Sequence, residues 1–236
     1  MSRDLLVFIP AWNEEENLPA VLREVHEGLP EADVLVVDDG STDATGAVAR
    51  EAGAQVVSFE RNRGLPSAIA TGYAHARDEG YWLCGRVDAD GQHPVGELAR
   101  LVELVRAGEC DVAVGSRFVS GEGYEPYRYR LEGARRFGTA LLRRAMRIRL
   151  GKPFGDPTSG MVAAGASAFP LLAERYTSGA PEVEALLRLS WAGLTVREVP
   201  VTMRGRAFGE SKLHGKKAVL LVATVIGVLV AWRRRR

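Results

Sequence analysis

Cysteine is scarce in this sequence, and its N-terminal part contains no long apolar run. Only Cys84 and Cys110 occur among 236 residues, too few for a disulfide-stapled fold, which favours a reducing compartment. The first apolar run covers residues 5–9 and ends at Pro10, so it is too short for the apolar region of a signal peptide. We therefore expect a protein that is not secreted and whose length suits one folded domain.

The glycine pattern G-x-G-x-x-G is also missing after the first apolar run, where PAWNEEEN stands instead. That pattern forms the phosphate-binding turn of dinucleotide-binding oxidoreductases, so its absence argues against that class. The sequence contains no internal repeat and no low-complexity linker. It therefore indicates no boundary between two large domains.

Positive charge is scarce in the first half of the chain and negative charge in the second. Residues 1–125 carry 10 Lys or Arg against 23 Asp or Glu, a net charge of −13. Residues 126–236 carry 21 against 7, a net charge of +14, and the whole chain has +1. This split indicates that the basic half faces an anionic partner: nucleic acid, membrane lipid or a phosphorylated substrate.

Short apolar runs alternate with helical patterns over the first 115 residues. The runs predict strands at 5–9, 34–37, 55–59, 81–84 and 111–115. The stretches between them carry apolar residues at helical spacing. This alternation predicts an α/β protein, with a mostly parallel sheet flanked by helices on both faces.

Two basic helical patterns follow in the second half. Residues 131–150 combine an apolar stripe with arginines, as in a helix at a lipid interface or a core helix with a basic outer face. In the C-terminal helix predicted at 215–236, residues 218–232 are uncharged. They would span about 22 Å at ~1.5 Å per residue, less than the ~30 Å hydrocarbon core. A half-inserted anchor or a helix packed on the domain fits this length, and the final arginines favour anionic cytoplasmic lipid.

Two carboxylates, Asp88 and Asp90, follow soon after the apolar run at 81–84. With Gly91 and Gln92 they form a set of hard oxygen ligands suited to Mg²⁺ or Mn²⁺, which substrate phosphates usually complete. Open α/β sheets bind ligands at the carboxyl ends of their strands. The sequence therefore predicts a metal and diphosphate site here.

The ends of two earlier strands carry polar groups as well. Asp38 and Asp39 end the second strand, where a carboxylate can accept hydrogen bonds from the base or ribose of a nucleotide. A turn with a helix cap from Ser41, Thr42 or Asp43 accounts for the residues that follow. The first strand ends similarly in PAWNEEEN, which offers Trp12 for stacking and Glu14 for polar contacts.

Together, P-x-W-N-E-x-x-N-L, V-D-D-G-S-x-D and D-A-D-G-Q-H-P resemble the family 2 glycosyltransferases with the GT-A fold. Within that family the chain is most similar to the dolichol-phosphate mannose synthase-like polyprenol-phosphate glycosyltransferases. GSR at 115–117, DPTSGM at 156–161, PEVE at 181–184 and R-x-x-G-x-S-K-L at 206–213 extend the resemblance. The chain departs from the family pattern at Arg86, in a segment that is usually apolar, and in the loop 62–68, which lacks the usual lysine or extra glycine.

The resemblance implies a role for each matching residue. The implied nucleotide-sugar contacts are Pro10, Trp12, Glu14, Val37, Asp39, Asp88, Ala89 and Asp90. The implied ligands of Mg²⁺ or Mn²⁺ are Asp90 and Gln92. The implied acceptor and phosphate contacts are Arg117, Arg130, Arg206, Ser211 and Lys212. The implied catalytic set is Asp88, Asp90, Arg117 and Glu184.

The implied reaction is the inverting transfer of a sugar from a GDP- or UDP-sugar to a polyprenol phosphate. The alternative is a hydroxyl acceptor on a natural product or a cell-envelope glycan, with Glu182 or Glu184 as general base. These two glutamates also suit the first turn of a helix after Pro181. We expect residues 1–214 to form the catalytic domain and residues 215–236 to hold it at the cytoplasmic face of a membrane, without a nucleic-acid partner. The sequence leaves open whether the chain forms a homo-oligomer.

Overall fold

One mixed sheet organises the residues that the computed structural model describes, which are 3–121, 123–124, 147 and 154–205. Its seven strands are β1 (Arg3–Ala11), β2 (Asp33–Asp38), β3 (Gln55–Ser58), β4 (Tyr81–Arg86), β5 (Val112–Ser116), β6 (Val162–Gly165) and β7 (Val196–Pro200). Their order across the sheet is β3-β2-β1-β4-β6-β5-β7. Strand β6 runs antiparallel to both of its neighbours, and the other pairs are parallel.

Helices cover both faces of this sheet. They are α1 (Leu18–Gly28), α2 (Thr45–Glu51), α3 (Leu65–Asp78), α4 (Val95–Arg106), the short α5 (Phe169–Leu172) and α6 (Pro181–Trp191), with a 3₁₀ turn at Ala166–Ala168. Alternate residues of β1 enter two different cores: Phe8 packs with residues of α3, α5 and α6, and Val7 packs with residues of α1 and α4. Because both faces of β1 are buried, its sequence is a continuous apolar run.

The predicted α/β class and mostly parallel sheet are confirmed, and all five predicted strands form. Strands β6 and β7 were not predicted. β6, with sequence VAAG, is short and built from small residues, and β7, VREVP, carries two charges. Neither therefore shows the apolar run that marks a central strand.

The two basic helices predicted at 131–150 and 215–236 lie outside the described residues. Within the described part of the chain, no helix is long and apolar enough to cross a membrane. The proposed membrane-associating segment therefore stays a prediction of the sequence.

Helix α3 approaches β1 so closely that one position on it accepts no side chain. A Cβ atom on Gly72 would lie 2.3 Å from Cδ2 of Phe8. The Phe8 ring is fully buried and packs edge-on against Tyr73, with ring centroids 4.9 Å apart. The ring therefore has no room to move away, and Gly72 sets the distance between helix and sheet.

We expect Gly72→Ala to lower the free energy of unfolding by about 1–3 kcal/mol, because overpacking forces the core apart. Gly96→Ala in α4 is the matched control, since a Cβ there meets no atom within 4 Å. It should change the free energy of unfolding by less than ~0.5 kcal/mol, because the added methyl meets no atom and Gly96 lies in the first turn of the helix. Urea unfolding of the two variants measures the difference, and equal stabilities would contradict the packing argument.

Candidate functional site

Three neighbouring parallel strands, β2, β1 and β4, end at the same edge of the sheet. Beyond their carboxyl ends lies a cleft with a volume of about 620 Å³. It is lined by Pro10, Ala11, Trp12, Glu14, Asp39, Asn62, Gly64, Leu65, Ala68, Asp88, Ala89 and Asp90. The cleft is of the size that holds a small-molecule ligand.

Hydrogen bonds join the loop after β1 to the loop after β2. The Asn13 amide N–H donates to Ser41 Oγ at 3.0 Å, and the Thr42 N–H donates to Asn13 Oδ1 at 2.9 Å. The Glu14 N–H donates to Thr45 Oγ1 at 2.9 Å. Asn13 adopts a φ of 52°, a left-handed conformation that asparagine tolerates. These bonds fix the cleft rim, where Trp12 is 38% exposed.

Ala44 occupies the capping position of helix α2 without a side-chain cap bond, so the predicted cap from Ser41, Thr42 or Asp43 is wrong. Asp43 Oδ1 accepts the N–H of Thr45, the first residue of α2, at 3.0 Å. Ser41 and Thr42 bind Asn13 in the neighbouring loop instead. The turn therefore both starts a helix and holds the rim of the cleft.

Asp39 anchors the loop at residues 62–68. Its two carboxylate oxygens accept the backbone N–H groups of Arg63, at 2.7 Å, and Gly64, at 2.8 Å. The backbone of this loop also passes so close to Gly40 that a Cβ there would lie 2.3 Å from the carbonyl carbon of Arg61. The loop that departs from the family pattern thus forms one wall of the cleft.

Asp90 and Gln92 sit on a tight turn after β4. Asp90 Oδ1 accepts the Gln92 N–H at 3.1 Å, and Gly91 between them has a φ of 73°, which favours glycine. The Gln92 side-chain amide donates to the Arg204 carbonyl at 3.2 Å, and the Arg204 N–H donates to the Gln92 carbonyl at 2.9 Å. The turn is therefore held against the segment that follows β7.

The donor chemistry of this turn fits a magnesium or manganese ion. Asp90 supplies a carboxylate and Gln92 an amide oxygen, both of which are hard ligands. Among the described residues, no cluster of three or more His, Cys, Asp or Glu side chains is placed to bind a metal. A metal held by Asp90 and Gln92 would draw its other ligands from a bound substrate and water, as magnesium usually does.

Asp88 is fixed from several sides. Its Oδ1 accepts a hydrogen bond from Arg86 Nη2 at 3.2 Å, and its backbone N–H donates to His93 Nδ1 at 3.0 Å. Burial lowers the pKa of His93, so the ring is neutral and Nδ1 accepts. A Cβ on Gly160 would lie 2.4 Å from Asp88 Oδ2, so this carboxylate rests against bare backbone.

Arg86 was not predicted to belong to the site, and it is 2% exposed at the end of β4. The same Nη2 that binds Asp88 also donates to Glu182 Oε1 at 3.0 Å. Burial opposes the charge of Arg86, but Asp88 and Glu182 outweigh it and raise the pKa of the guanidinium. Burial raises the pKa of Glu182, and the charge of Arg86 opposes that shift. Arg86 thus stays charged between two acidic groups.

Arg117 is held in a two-pronged ion pair. Its Nε and Nη2 donate to the two carboxylate oxygens of Asp156 at 2.7 and 2.9 Å. The backbone N–H groups of Gly155 and Asp156 donate in turn to Glu198 on β7. The DPTSGM motif therefore orients Arg117, whose side chain stays partly exposed.

Glu184, which the resemblance places in the catalytic set, is buried in the core and is not among the residues that line the cleft. It is 0% exposed. Its carboxylate accepts hydrogen bonds from the backbone and hydroxyl groups of Thr177 and Ser178 and from the guanidinium of Arg188. A carboxylate bound in this way holds the loop at 177–178 against α6, and the catalytic role that the resemblance implies for it stays a prediction.

Seven of the eight implied nucleotide-sugar contacts line the cleft: Pro10, Trp12, Glu14, Asp39, Asp88, Ala89 and Asp90. The eighth, Val37, has a fully buried side chain that packs in the core. The implied phosphate contacts Arg130, Arg206, Ser211 and Lys212 lie outside the described residues. The sequence assigned no role to Arg86 or Gly160, although a charge within an apolar segment was a visible signal for Arg86.

Comparisons with known proteins agree with this arrangement. The family model described as Glycosyl transferase family 2 matches residues 6–168. Polyprenol monophosphomannose synthase of Mycolicibacterium smegmatis is 34% identical over 223 residues, which cover 89% of this chain and 81% of the relative. Undecaprenyl-phosphate mannosyltransferase of Micrococcus luteus is 33% identical over 219 residues, which cover 89% of this chain and 88% of the relative.

A solved structure shows the same fold. Glucosyl-3-phosphoglycerate synthase of Mycobacterium tuberculosis, in complex with Mn²⁺, UDP-glucose and phosphoglyceric acid, aligns with a TM-score of 0.69. The alignment covers 97% of this chain and 79% of the other, at 23% sequence identity. The predicted GT-A fold is thereby confirmed.

We expect Glu184→Gln to lower the free energy of unfolding by about 2–3 kcal/mol, because charge-assisted hydrogen bonds to the carboxylate are lost in the core. The exposed Glu103 on α4 provides the control, and Glu103→Gln should change stability by less than ~0.5 kcal/mol. Urea unfolding at pH 7 measures both. Equal stabilities of the two variants would show that Glu184 does not hold the core together.

Proposed function

Since the chain belongs to glycosyl transferase family 2 and resembles its polyprenol-phosphate mannosyltransferases, we propose that it transfers a sugar from a nucleoside diphosphate sugar to a polyprenol phosphate. One observation carries the donor side of this proposal. An aromatic ring, the Asp39 carboxylate and the Asp88–Asp90 pair converge on one cleft, from three adjacent strand ends. These are the groups that a base, a ribose and a metal-bound diphosphate require.

The nucleoside end of the donor fits the part of the cleft beside Trp12, Glu14 and Asp39. Trp12 offers a partly exposed ring for stacking, and a carboxylate accepts hydrogen bonds from base or ribose donors. The diphosphate fits beside Asp88 and Asp90, where Mg²⁺ or Mn²⁺ would offset the repulsion between anions. The structural relative in complex with UDP-glucose and Mn²⁺ supports a sugar nucleotide and a divalent metal as the ligands of this cleft. Both GDP- and UDP-sugars have the chemistry that the cleft requires.

The reaction breaks the bond between the anomeric carbon and the diphosphate oxygen, and it forms a bond from that carbon to an acceptor oxygen. A bound divalent metal stabilises the charge on the departing diphosphate. We propose a single displacement with inversion, as the family resemblance implies. The protein's own part is to hold the donor between the loops after β1, β2 and β4 and to exclude water from it.

A phosphate acceptor agrees with the acidic residues of the site better than a hydroxyl acceptor does. A phosphomonoester has a second pKa near ~6 and is already an anionic nucleophile at pH 7, so it needs no strong base. Both glutamates considered as bases are engaged elsewhere: Glu184 is buried in the core, and Glu182 pairs with Arg86. The hydroxyl-acceptor alternative therefore has no supporting observation in the described residues.

The acceptor side of the proposal rests on cations. Arg117 is partly exposed and oriented by Asp156. The sequence motifs add four further phosphate contacts to this proposal: Arg130, Arg206, Ser211 and Lys212. We further propose that the chain works at the cytoplasmic face of a membrane, with residues 215–236 against the lipid. The names of the relatives, which refer to polyprenol and undecaprenyl phosphate, support a place near a membrane. The proposal of the cytoplasmic face rests on the arginines at 233–236.

We expect Asp90→Ala to lower transfer from the donor by about 100-fold or more, because metal stabilisation of a leaving group is worth several kcal/mol. EDTA should stop the wild-type enzyme, and excess Mg²⁺ or Mn²⁺ should restore it. Asp78→Asn, at an exposed ion pair with Arg77, is the control and should leave the rate unchanged. Full wild-type activity in EDTA would overturn the metal assignment.

The acceptor is tested with a radiolabelled GDP- or UDP-sugar and two lipids, a polyprenol phosphate and the same polyprenol without its phosphate. We expect label only in the phosphorylated lipid. Lys212→Ala should raise the acceptor KM or lower kcat by about 10- to 150-fold, because one charge-assisted hydrogen bond is lost. The KM for the donor should stay unchanged. Transfer to the free alcohol at an equal rate would point to a hydroxyl acceptor.

A further inference from the structure

Arg86 introduces a full charge at a position where the fold needs only an apolar side chain. It ends β4 and pairs with Phe8 of β1 and Val162 of β6 in the middle of the sheet. Its side chain is almost completely buried. Removing an arginine from water costs several kcal/mol, which an ion pair repays only partly. The residue therefore gives the fold little stability in return.

The hydrogen bonding of Arg86 is also incomplete. Within the described residues, its Nε has no hydrogen-bond partner. The guanidinium borders a cavity of about 30 Å³ that is otherwise lined mostly by apolar side chains of the sheet and α6. Of the two carboxylates that bind Arg86, Glu182 is 15% exposed, whereas Asp88 is 34% exposed and lines the cleft.

The bond from Arg86 acts directly on the Asp88 carboxylate, at 3.2 Å from Oδ1. His93 fixes the backbone of Asp88, and the bare backbone of Gly160 leaves room for Oδ2. Arg86 binds Oδ1 and so sets the rotation of the carboxylate. The same Nη2 donates its second hydrogen bond to Glu182 Oε1, which helps to hold the guanidinium in place. Asp88, Arg86 and Glu182 therefore form a row of alternating charges that leads from the cleft into the protein.

We propose that Arg86, held by Glu182, is a positioning residue for the donor. It orients the Asp88 carboxylate toward the sugar diphosphate and offsets one negative charge beside it. This inference rests on the proposed function, because Asp88 meets a sugar diphosphate only if the cleft binds such a donor. The inference goes beyond the proposed function because it assigns a role in donor binding to the buried Arg86–Glu182 ion pair.

The charge of Arg86 matters because the ligand is itself anionic. Asp88 and Asp90 repel each other and repel a diphosphate, and the effect is strong where water is excluded. Arg86 has its charge at all ordinary pH values, so its effect on Asp88 does not depend on titration. Without it, the Asp88 carboxylate loses the hydrogen bond to Oδ1 and the positive charge beside it.

The test uses a double variant, Arg86→Met with Glu182→Gln, in the full-length chain. Removing Arg86 alone would leave two carboxylates without their cation, and such a change is strongly destabilising. The double change removes the buried pair as a unit and leaves Asp88 intact. The control is the corresponding double change at an exposed pair at the end of α3, Arg77→Met with Asp78→Asn.

Calorimetry measures binding of UDP-glucose and GDP-mannose, and of UMP and GMP, with Mn²⁺ present. Thermal unfolding checks the fold of each variant. We expect the double variant to keep its melting temperature within a few degrees of the wild type. Its affinity for the sugar nucleotide that the wild type binds, UDP-glucose or GDP-mannose, should fall by about 10- to 150-fold. This is the effect of one lost charge-assisted hydrogen bond. Affinity for the matching monophosphate should change less than threefold, since Asp88 is assigned to the sugar diphosphate.

The single variant Arg86→Lys keeps the charge but not the planar guanidinium. Its affinity for the sugar nucleotide should lie between those of the wild type and the double variant. If the double variant folds and binds the sugar nucleotide as the wild type does, Arg86 has no positioning role. An equal loss for monophosphate and sugar nucleotide would show a general distortion of the cleft and would also overturn the inference. If the wild type itself binds neither sugar nucleotide, the proposed function fails instead. The two failures are therefore distinguishable.

Discussion

The parallel pairing of β1 with β2 on one side and with β4 on the other is the constraint on which the site depends. In this register the three strands end at the same edge of the sheet, so that the loops after them meet although they are distant in sequence. The pairing itself is held by apolar contacts on both faces of β1, including the close approach of Phe8 to Gly72. Core packing thus determines where the polar groups of the cleft stand.

Acidic side chains have two tasks at this edge, and their surroundings decide which one dominates. Asp39 uses both carboxylate oxygens to hold the loop at 62–68, yet it also lines the cleft. Asp90 closes its own turn through the Gln92 N–H and remains beside the cleft. These hydrogen bonds preorganise the binding site, because a carboxylate that orders its own loop is already oriented before a ligand binds.

Much of this was predictable from the sequence, and the limits have physical causes. The apolar runs predicted five strands because strands buried on both faces must be apolar, and the motifs at their ends predicted seven residues that line the cleft. Strands β6 and β7 escaped prediction because small or charged residues form them. Their place in the sheet is set by long-range pairing with β4 and β5, which no local pattern records. The same reason hid Gly160, whose contact with Asp88 joins two distant segments.

The two glutamates of PEVE show why local sequence does not determine a role. Glu182 and Glu184 stand two residues apart on α6, and each pairs with an arginine. Glu184 meets an arginine of its own helix, together with the loop at 177–178, and so it holds the core. Glu182, about 200° further round the helix at 3.6 residues per turn, meets the arginine at the end of β4 and acts on the cleft through it. The sequence shows two equivalent acids, and only the direction in which each leaves the helix separates a structural ion pair from one that borders the site.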